Sequence, residues 1–336
     1  MKKLKYIILL FLCMATSLQM KAVDVTLTTD ENVNRPAGIY NAERNLAAVL
    51  TEINRAQKAH VPVSVKNLQM DEFSKKSLAR LWAVTPFYCD DEEVVERCWV
   101  FKNGNMMVSH IPLIITPEKE DFGLGTYQEA VVEFDQHGNL TDFRFALDAQ
   151  TAESMERCGA VVDKEKQMII LQYVERFRTA YNMKDLETIK NMFSDDALII
   201  TGKVVMTKKL TDSENAAFKV EYTKQNKQQY INNLKMAFLR NKWIDVKFSQ
   251  IGENGEQGGC QGITRSTVDP TKYGVRLHQS WKSSNYSDEG YLFLLWDFPE
   301  NGGDPIIHVR TWQPEWAGGK RQQPDDDIST LGGFDL

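Results

Sequence analysis

Residues 273–315, YGVRLHQSWKSSNYSDEGYLFLLWDFPENGGDPIIHVRTWQPE, contain three consecutive segments of strand period. In Tyr273 to Trp281, Val275, Leu277, Gln279 and Trp281 share one face, and Arg276, His278 and Ser280 share the other, because successive strand side chains alternate. Tyr291 to Phe298 is apolar on both faces: Tyr291, Phe293 and Leu295 on one, Leu292, Leu294, Trp296 and Phe298 on the other. Polar, glycine-rich turns (Ser283 to Gly290 and Pro299 to Pro305) separate these from a returning strand, Ile306 to Trp312. Three antiparallel strands with such a middle member predict a curved sheet that needs cover on both sides, since soluble monomers avoid large bare apolar patches. Helices supply one cover. For the other, a first-domain hairpin over Tyr127 to Leu147 is expected, making the chain a monomer with intramolecular domain packing. Separately, the closing residues Leu331 to Leu336 of the acidic tail are apolar enough to dock back on the body.

The upstream chain supplies helices of 3.6 period. Tyr40 to Gln57 places Leu46, Val49, Leu50 and Ile53 on one stripe, and Asp71 to Trp82 follows. Strands are expected at 95–102, 106–115, 127–135 and 140–147, after a loose lead-in over Val23 to Ala37. A long helix from about Asp163 to Asn182 carries Ile170, Tyr173, Val174, Phe177 and Tyr181 inward, and Asp185 caps a shorter one. Ala197 to Met206 reads as a strand, Glu214 to Tyr222 is open, and Asn226 to Asn241 is helical. Trp243 to Ile251 and Cys260 to Val268 read as a hairpin around Gly252 to Gly259. Both halves thus run from helices into a meander, the pattern of a tandem repeat. The expected fold is α+β, with tandem cone-shaped domains, each packing helices on a strongly curved antiparallel sheet. The expected divisions are 1–22, 23–150, a linker at 151–162, 163–316, and an acidic tail at 317–336.

Lys2, Lys3 and Lys5 before the apolar run Tyr6 to Ala15 predict a secretory signal cut near Ala22. Leu12 disfavours lipidation of Cys13, because lipoprotein processing prefers a small residue there. The remainder carries 36 basic against 46 acidic residues. That balance, without a basic cluster interleaved with aromatics, argues against nucleic acid. No other run approaches the ~20 apolar residues of a membrane span. Cys89 and Cys98 either close a short loop or remain separate buried thiols.

LQYVERFRTAYNMKDLETIKNMFSDDALIIT (171–201), with QYINNLKMAFLRNKWIDVKF, SSNYSDEGYLFLLWDF and PIIHVRTWQPE, resembles the nuclear transport factor 2-like superfamily, closest to exported bacterial members of unknown activity. The resemblance covers the second half and implies helices against a bent sheet in the order αα–β–α–ββ–βββ. It also implies, by likeness to ketosteroid isomerase, an oxyanion-stabilising role for Tyr173. The carboxylate that would abstract a proton is missing from its strand, where Ile200 and Thr201 stand.

The histidines His60, His110, His137, His278 and His308 have no metal-ligand spacing, and no cofactor motif or phosphate loop occurs. The acidic runs Asp90 to Glu93 and Asp325 to Asp327 lack a calcium loop's alternation and glycine. His278 and His308, with Arg276 and Arg310, are candidates for a cationic wall. The candidate pocket set is Tyr173, Tyr230, Trp243, His278, Trp281, Trp296, His308 and Trp312. The reading is an exported, non-catalytic binding or assembly module for a small apolar ligand or a protein partner. The alternative is an isomerase- or dehydratase-like enzyme using Tyr173 and a pocket histidine. Intact-mass measurement of the exported protein should find residues 1–22 removed; an uncut Met1 to Leu12 segment on soluble protein would count against export.

Overall fold

A computed structural model describes residues 22–31, 33–115, 126–147, 164–207, 217–249, 251, 262–300 and 302–334. The expected signal segment (all but Ala22), the 151–162 linker, the 252–259 turn, Leu336, Cys13, Cys158 and Cys260 lie outside the described residues. None of the described helices is long and apolar enough to cross a membrane. The chain forms two compact units: Met1–Tyr127 with Val131–Phe143, and Gln128–Ala130 with Arg144–Leu336. Each is a mixed α+β unit with helices and its own sheet.

The first unit contains β1 (Asp24–Thr28), α1 (Ile39–Ala59), α2 (Glu72–Val84), β2 (Phe87–Tyr88), β3 (Glu93–Val100), β4 (Met106–Ile115) and most of β5 (Thr126–Phe134) and β6 (Leu140–Phe145). The sheet order is β1-β3-β4-β5-β6, with β2 on β4. The expected loose lead-in is therefore corrected. Val25 and Leu27 alternate with polar residues, Leu27 is fully buried, and β1 runs parallel to β3. So short an alternation gains stability only once a partner strand is present. The stripe Leu46, Val49, Leu50 and Ile53 is wholly buried, as its period requires. At its N-terminal end α1 grips the β5–β6 turn, where Asn41 and Asn45 donate to the carbonyls of His137 and Gly138. Gly138 has φ +83°, and a Cβ there would lie 2.3 Å from the Gly38 carbonyl oxygen, so only glycine fits. Cys89 and Cys98 are free, buried thiols, and burial pushes both up to about 11.

The second unit contains α3 (Lys164–Asn182), α4 (Leu186–Met192), β7 (Phe193–Thr207), β8 (Ala217–Asn226), α5 (Lys227–Arg240), β9 (Ile244–Ser249), β10 (Ile263–Arg265), β11 (Lys272–Ser283), β12 (Ser287–Asp297), β13 (Ile306–Pro314), β14 (Trp316–Ala317), β15 (Lys320–Arg321) and α6 (Asp326–Ser329). Asn226 and Gln229 form a reciprocal capping box that starts α5. The sheet order is β10-β11-β12-β13-β7-β8, with β9 on β11. The stretch left open at 214–222 is partly strand, β8, so two strands rather than the one of the expected order precede α5. The expected hairpin is corrected. β9 and β10 do not form a hairpin with each other; each pairs with a different part of β11. The sheet is also not wholly antiparallel, because β13 and β7 run parallel.

The inner face carries Val275, Leu277, Leu292, Leu294 and Trp296 against Val174, Phe177 and Tyr181 of α3 and Ile231, Leu234 and Phe238 of α5. The outer face carries Phe293, Leu295 and Val309, and its cover is the chain's own C-terminal tail: Leu331 and Phe334 pack there, with the Phe334 ring stacked 5.8 Å from that of Phe293. Asp325 caps α6, Arg276 pairs with Asp326 at 3.1 Å, and the Thr311 hydroxyl donates to the Ile328 carbonyl at 2.6 Å. The acidic run thus anchors the tail.

One ion pair in this unit is wholly buried. Arg144 Nε meets Glu175 Oε2 at 3.0 Å, and Glu175 Oε1 accepts the Leu147 N–H, also at 3.0 Å. Truncation after Gln323 should uncover Phe293 and Leu295, lower Tm and produce self-association in sedimentation velocity. Phe334→Ala should cost ~1–2 kcal/mol, as expected for a half-buried aromatic. A truncated chain that stays monomeric with unchanged Tm would show that the tail is not this cover.

Candidate functional site

Where the β11–β12 hairpin turns, its inner face and the ends of β7 and β13 enclose a groove of about 540 Å³. Trp281, Trp312, Asp288, Tyr286, Lys203 and Pro314 are among the residues that line it. Trp281 and Asp288 are cross-strand partners, as are Leu292 and Trp312 two same-face positions inward and Leu294 and Arg310 one position further. The Trp312 ring has room because of Gly290, whose added Cβ would fall 2.9 Å from the indole.

Polar groups collect beneath the aromatic rim. Arg310 is 5% exposed, with its guanidinium carbon 5.1 Å above the centre of the Tyr230 ring. The Tyr181 hydroxyl bonds to that of Tyr230 and lies against Arg310. Trp281 packs edge-on against Tyr181, with ring centres 5.7 Å apart. Burial pushes the Asp288 carboxyl up to about 6, although the Tyr286 hydroxyl donates to it and Arg310 attracts it. Desolvation likewise raises the Tyr181 phenol.

The eight sequence candidates do not form one pocket. Trp281 and Trp312 line the groove; Tyr230 is not in its lining and packs under Arg310 in the core. Tyr173 and Trp296 lie deeper in the core, packed edge-to-face with centres 5.7 Å apart. Trp243 is half-buried just before β9, outside the groove lining. His278 is on the outer face, with Nε2 3.0 Å from Glu315 Oε2. His308 sits at a bulge, 3.2 Å from Asp297 and 3.6 Å from Asp196.

The expected cationic wall is therefore corrected. β12 separates the strands of His278 and His308, and Arg310 points inward while Arg276 points to the tail. Tyr173 and His278 are on opposite sides of the sheet. His278, Glu289 and Glu315 are close enough to meet one cation, with ligand atoms within 4.8 Å of one another. Glu315, however, already takes Arg321 at 2.7 Å on its other oxygen, which satisfies it as an ion-pair network.

Sequence reading missed Tyr181 and Asp288 as site residues, and named Arg310 only as part of a wall with His278, His308 and Arg276. Arg310 in a strand of Ile307, Val309 and Trp312 was the available signal.

No protein-family model and no curated protein matches the sequence. Among solved structures, a protein of Bdellovibrio bacteriovorus is similar at 15% identity over 46% of this chain, with a TM-score of 0.31; this chain spans only 43% of its length. A nuclear transport factor 2-like protein of unknown function from Pseudomonas putida KT2440 is similar at 12% identity, covering 45% of this chain and 87% of its own, with a TM-score of 0.31. One from Shewanella oneidensis MR-1 covers 44% and 98%, at 12% identity and a TM-score of 0.29.

Asp288 titrates near 6 when folded against 3.8 as its ordinary value. A carboxyl raised on folding supports the fold when protonated, and that support is lost as pH rises from about 4 through 6. Asp288→Asn should therefore match wild type in urea unfolding below pH 4 and exceed it by roughly 2–3 kcal/mol above pH 7. A gap that does not vary with pH would rule out this environment.

Proposed function

We propose that the second unit is the small-molecule-binding domain of an exported, non-catalytic protein, and that its ligand lies in the groove between Trp281 and Trp312. The observation that carries the reading is a concave site with two tryptophan walls above convergent buried polar groups, the usual make-up of a ligand site. The outer face of the sheet is less suited to a partner, because Leu331 and Phe334 already occupy it. Asp288, Lys203 and Arg310 call for a ligand with polar ends, rather than the wholly apolar one expected from sequence. Export rests on the charged and apolar pattern of residues 2–15.

A second reading has one observation in its favour. A carboxyl near 6 is poised for proton transfer close to neutral pH, so an enzyme here would use Asp288 rather than Tyr173 with a histidine. Asp288→Asn would then abolish turnover while leaving ligand binding in place.

Titration with a panel of one- and two-ring aromatic compounds, followed by tryptophan fluorescence, tests the binding reading. A bound compound should lose affinity at least ~10-fold in Trp281→Ala, the cost of removing a central aromatic contact. Binding that is indifferent to both Trp281→Ala and Trp312→Ala would place the ligand elsewhere and end the groove assignment.

A further inference from the structure

We infer that the groove takes an organic acid whose carboxylate is held by Arg310. The inference rests on the groove being a binding site and names the ligand class.

Arginine stays protonated inside proteins, and an ionised group buried without a counter-charge is among the most costly features a fold can carry. Arg310 comes close to that case: the charge of Asp288 reaches it only at longer range. Among the described residues it makes no ion pair, and its Nε and Nη1 are buried without an acceptor. One side of the guanidinium rests on the Tyr230 ring, and the Tyr181 hydroxyl supplies a neutral contact. Two residues along the same face, the Trp312 indole Nε1 is also buried without an acceptor. Three N–H groups thus collect on the inner side of β13, with nothing in the described chain to receive them.

The contrast with Arg144 is direct. That arginine is as deeply buried and has Glu175 at 3.0 Å. The other buried arginine, Arg178, donates to the Phe145 and Ala146 carbonyls, so both have acceptors within the chain. At Arg310 the missing partner is an anion of about the size of a carboxylate; Arg310 lies behind the groove lining, two residues along β13 from Trp312 and within range of the Asp288 charge, so the anion would enter between those two lining residues. Asp288 sets the other end. It lines the groove, and its Oδ1 is buried without a donor. A second acid there would be repelled, whereas a hydroxyl or amine would satisfy it. The ligand class is an aromatic monocarboxylic acid bearing a hydrogen-bond donor, its ring between Trp281 and Trp312.

The test compares 3-(4-hydroxyphenyl)propanoate with its primary amide, and acetate with chloride at constant ionic strength. Wild type, Arg310→Met and Arg310→Lys of the full chain are compared. In wild type the acid should bind at least ~30-fold tighter than the amide, and acetate should raise Tm. Arg310→Met should bring the acid-to-amide ratio near one and remove the acetate effect, and Arg310→Lys should keep part of both. Without ligand, Arg310→Met should melt no lower than wild type, because Met removes an unpaired buried charge at similar volume.

A ratio unchanged in Arg310→Met overturns the inference, as does a ligand-free Arg310→Met that melts well below wild type. If aromatic compounds bind with no preference for the acid, the groove stands and the anchor falls. If acetate stabilises wild type and not Arg310→Met while no aromatic compound binds, the anchor stands and the groove falls. Silence of both probes overturns both.

Discussion

The second unit depends on one constraint: β12 must be dry on both sides. Leu292, Leu294 and Trp296 on one face and Phe293 and Leu295 on the other are all at most 1% exposed. Each such side chain contributes ~1.5–3 kcal/mol when buried. Losing either cover would therefore remove a large part of a domain's usual net stability. The inner cover is α3 and α5, and the outer is the tail ending in Leu331 and Phe334. The acidic residues before that tail gain a role from the same constraint, since Asp325 caps α6 and Asp326 holds Arg276.

Within this apolar interior the exceptions carry the information. Glu175 is pushed up by burial and pulled back by Arg144, by the Leu147 N–H and by the charge of Arg178. It behaves as a completed structural pair that fixes the start of the unit. Arg310 has similar burial and, among the described residues, no carboxylate at contact distance, only two tyrosines and the longer-range charge of Asp288. An unpaired polar group left in a core is a standing cost unless something else completes it. That asymmetry, more than the shape of the groove, separates the site from the rest of the sheet.

Much of the architecture was legible along the chain. The α1 stripe, the inward face of α3 and the alternation of β11 follow from side-chain period, which depends only on local backbone geometry. The elements misread were those defined by partners. β1 is five residues long and exists as a strand through β3. β8 pairs with β7 along ten residues despite a polar sequence, AFKVEYTKQN. β9 and β10 look like the arms of a hairpin until β11 is present to pair with both.

The candidate site was legible only in part, for the same reason. Trp281 and Trp312 could be named from composition, but sequence spacing put Arg310 beside His308, Arg276 and His278. The bulge between Ile307 and Val309, together with β12 lying between the two outer strands, divides that set among different surfaces. By itself the sequence determined the long helices, the strongly alternating strands and that β12 needs two covers, because hydrophobic period and burial demand are properties of a single segment. Only the tertiary structure decided that the tail is the second cover, and that Arg310, Asp288 and Tyr181 meet on one face. Register, bulges and strand order are set by pairing between distant segments, and no local pattern encodes them.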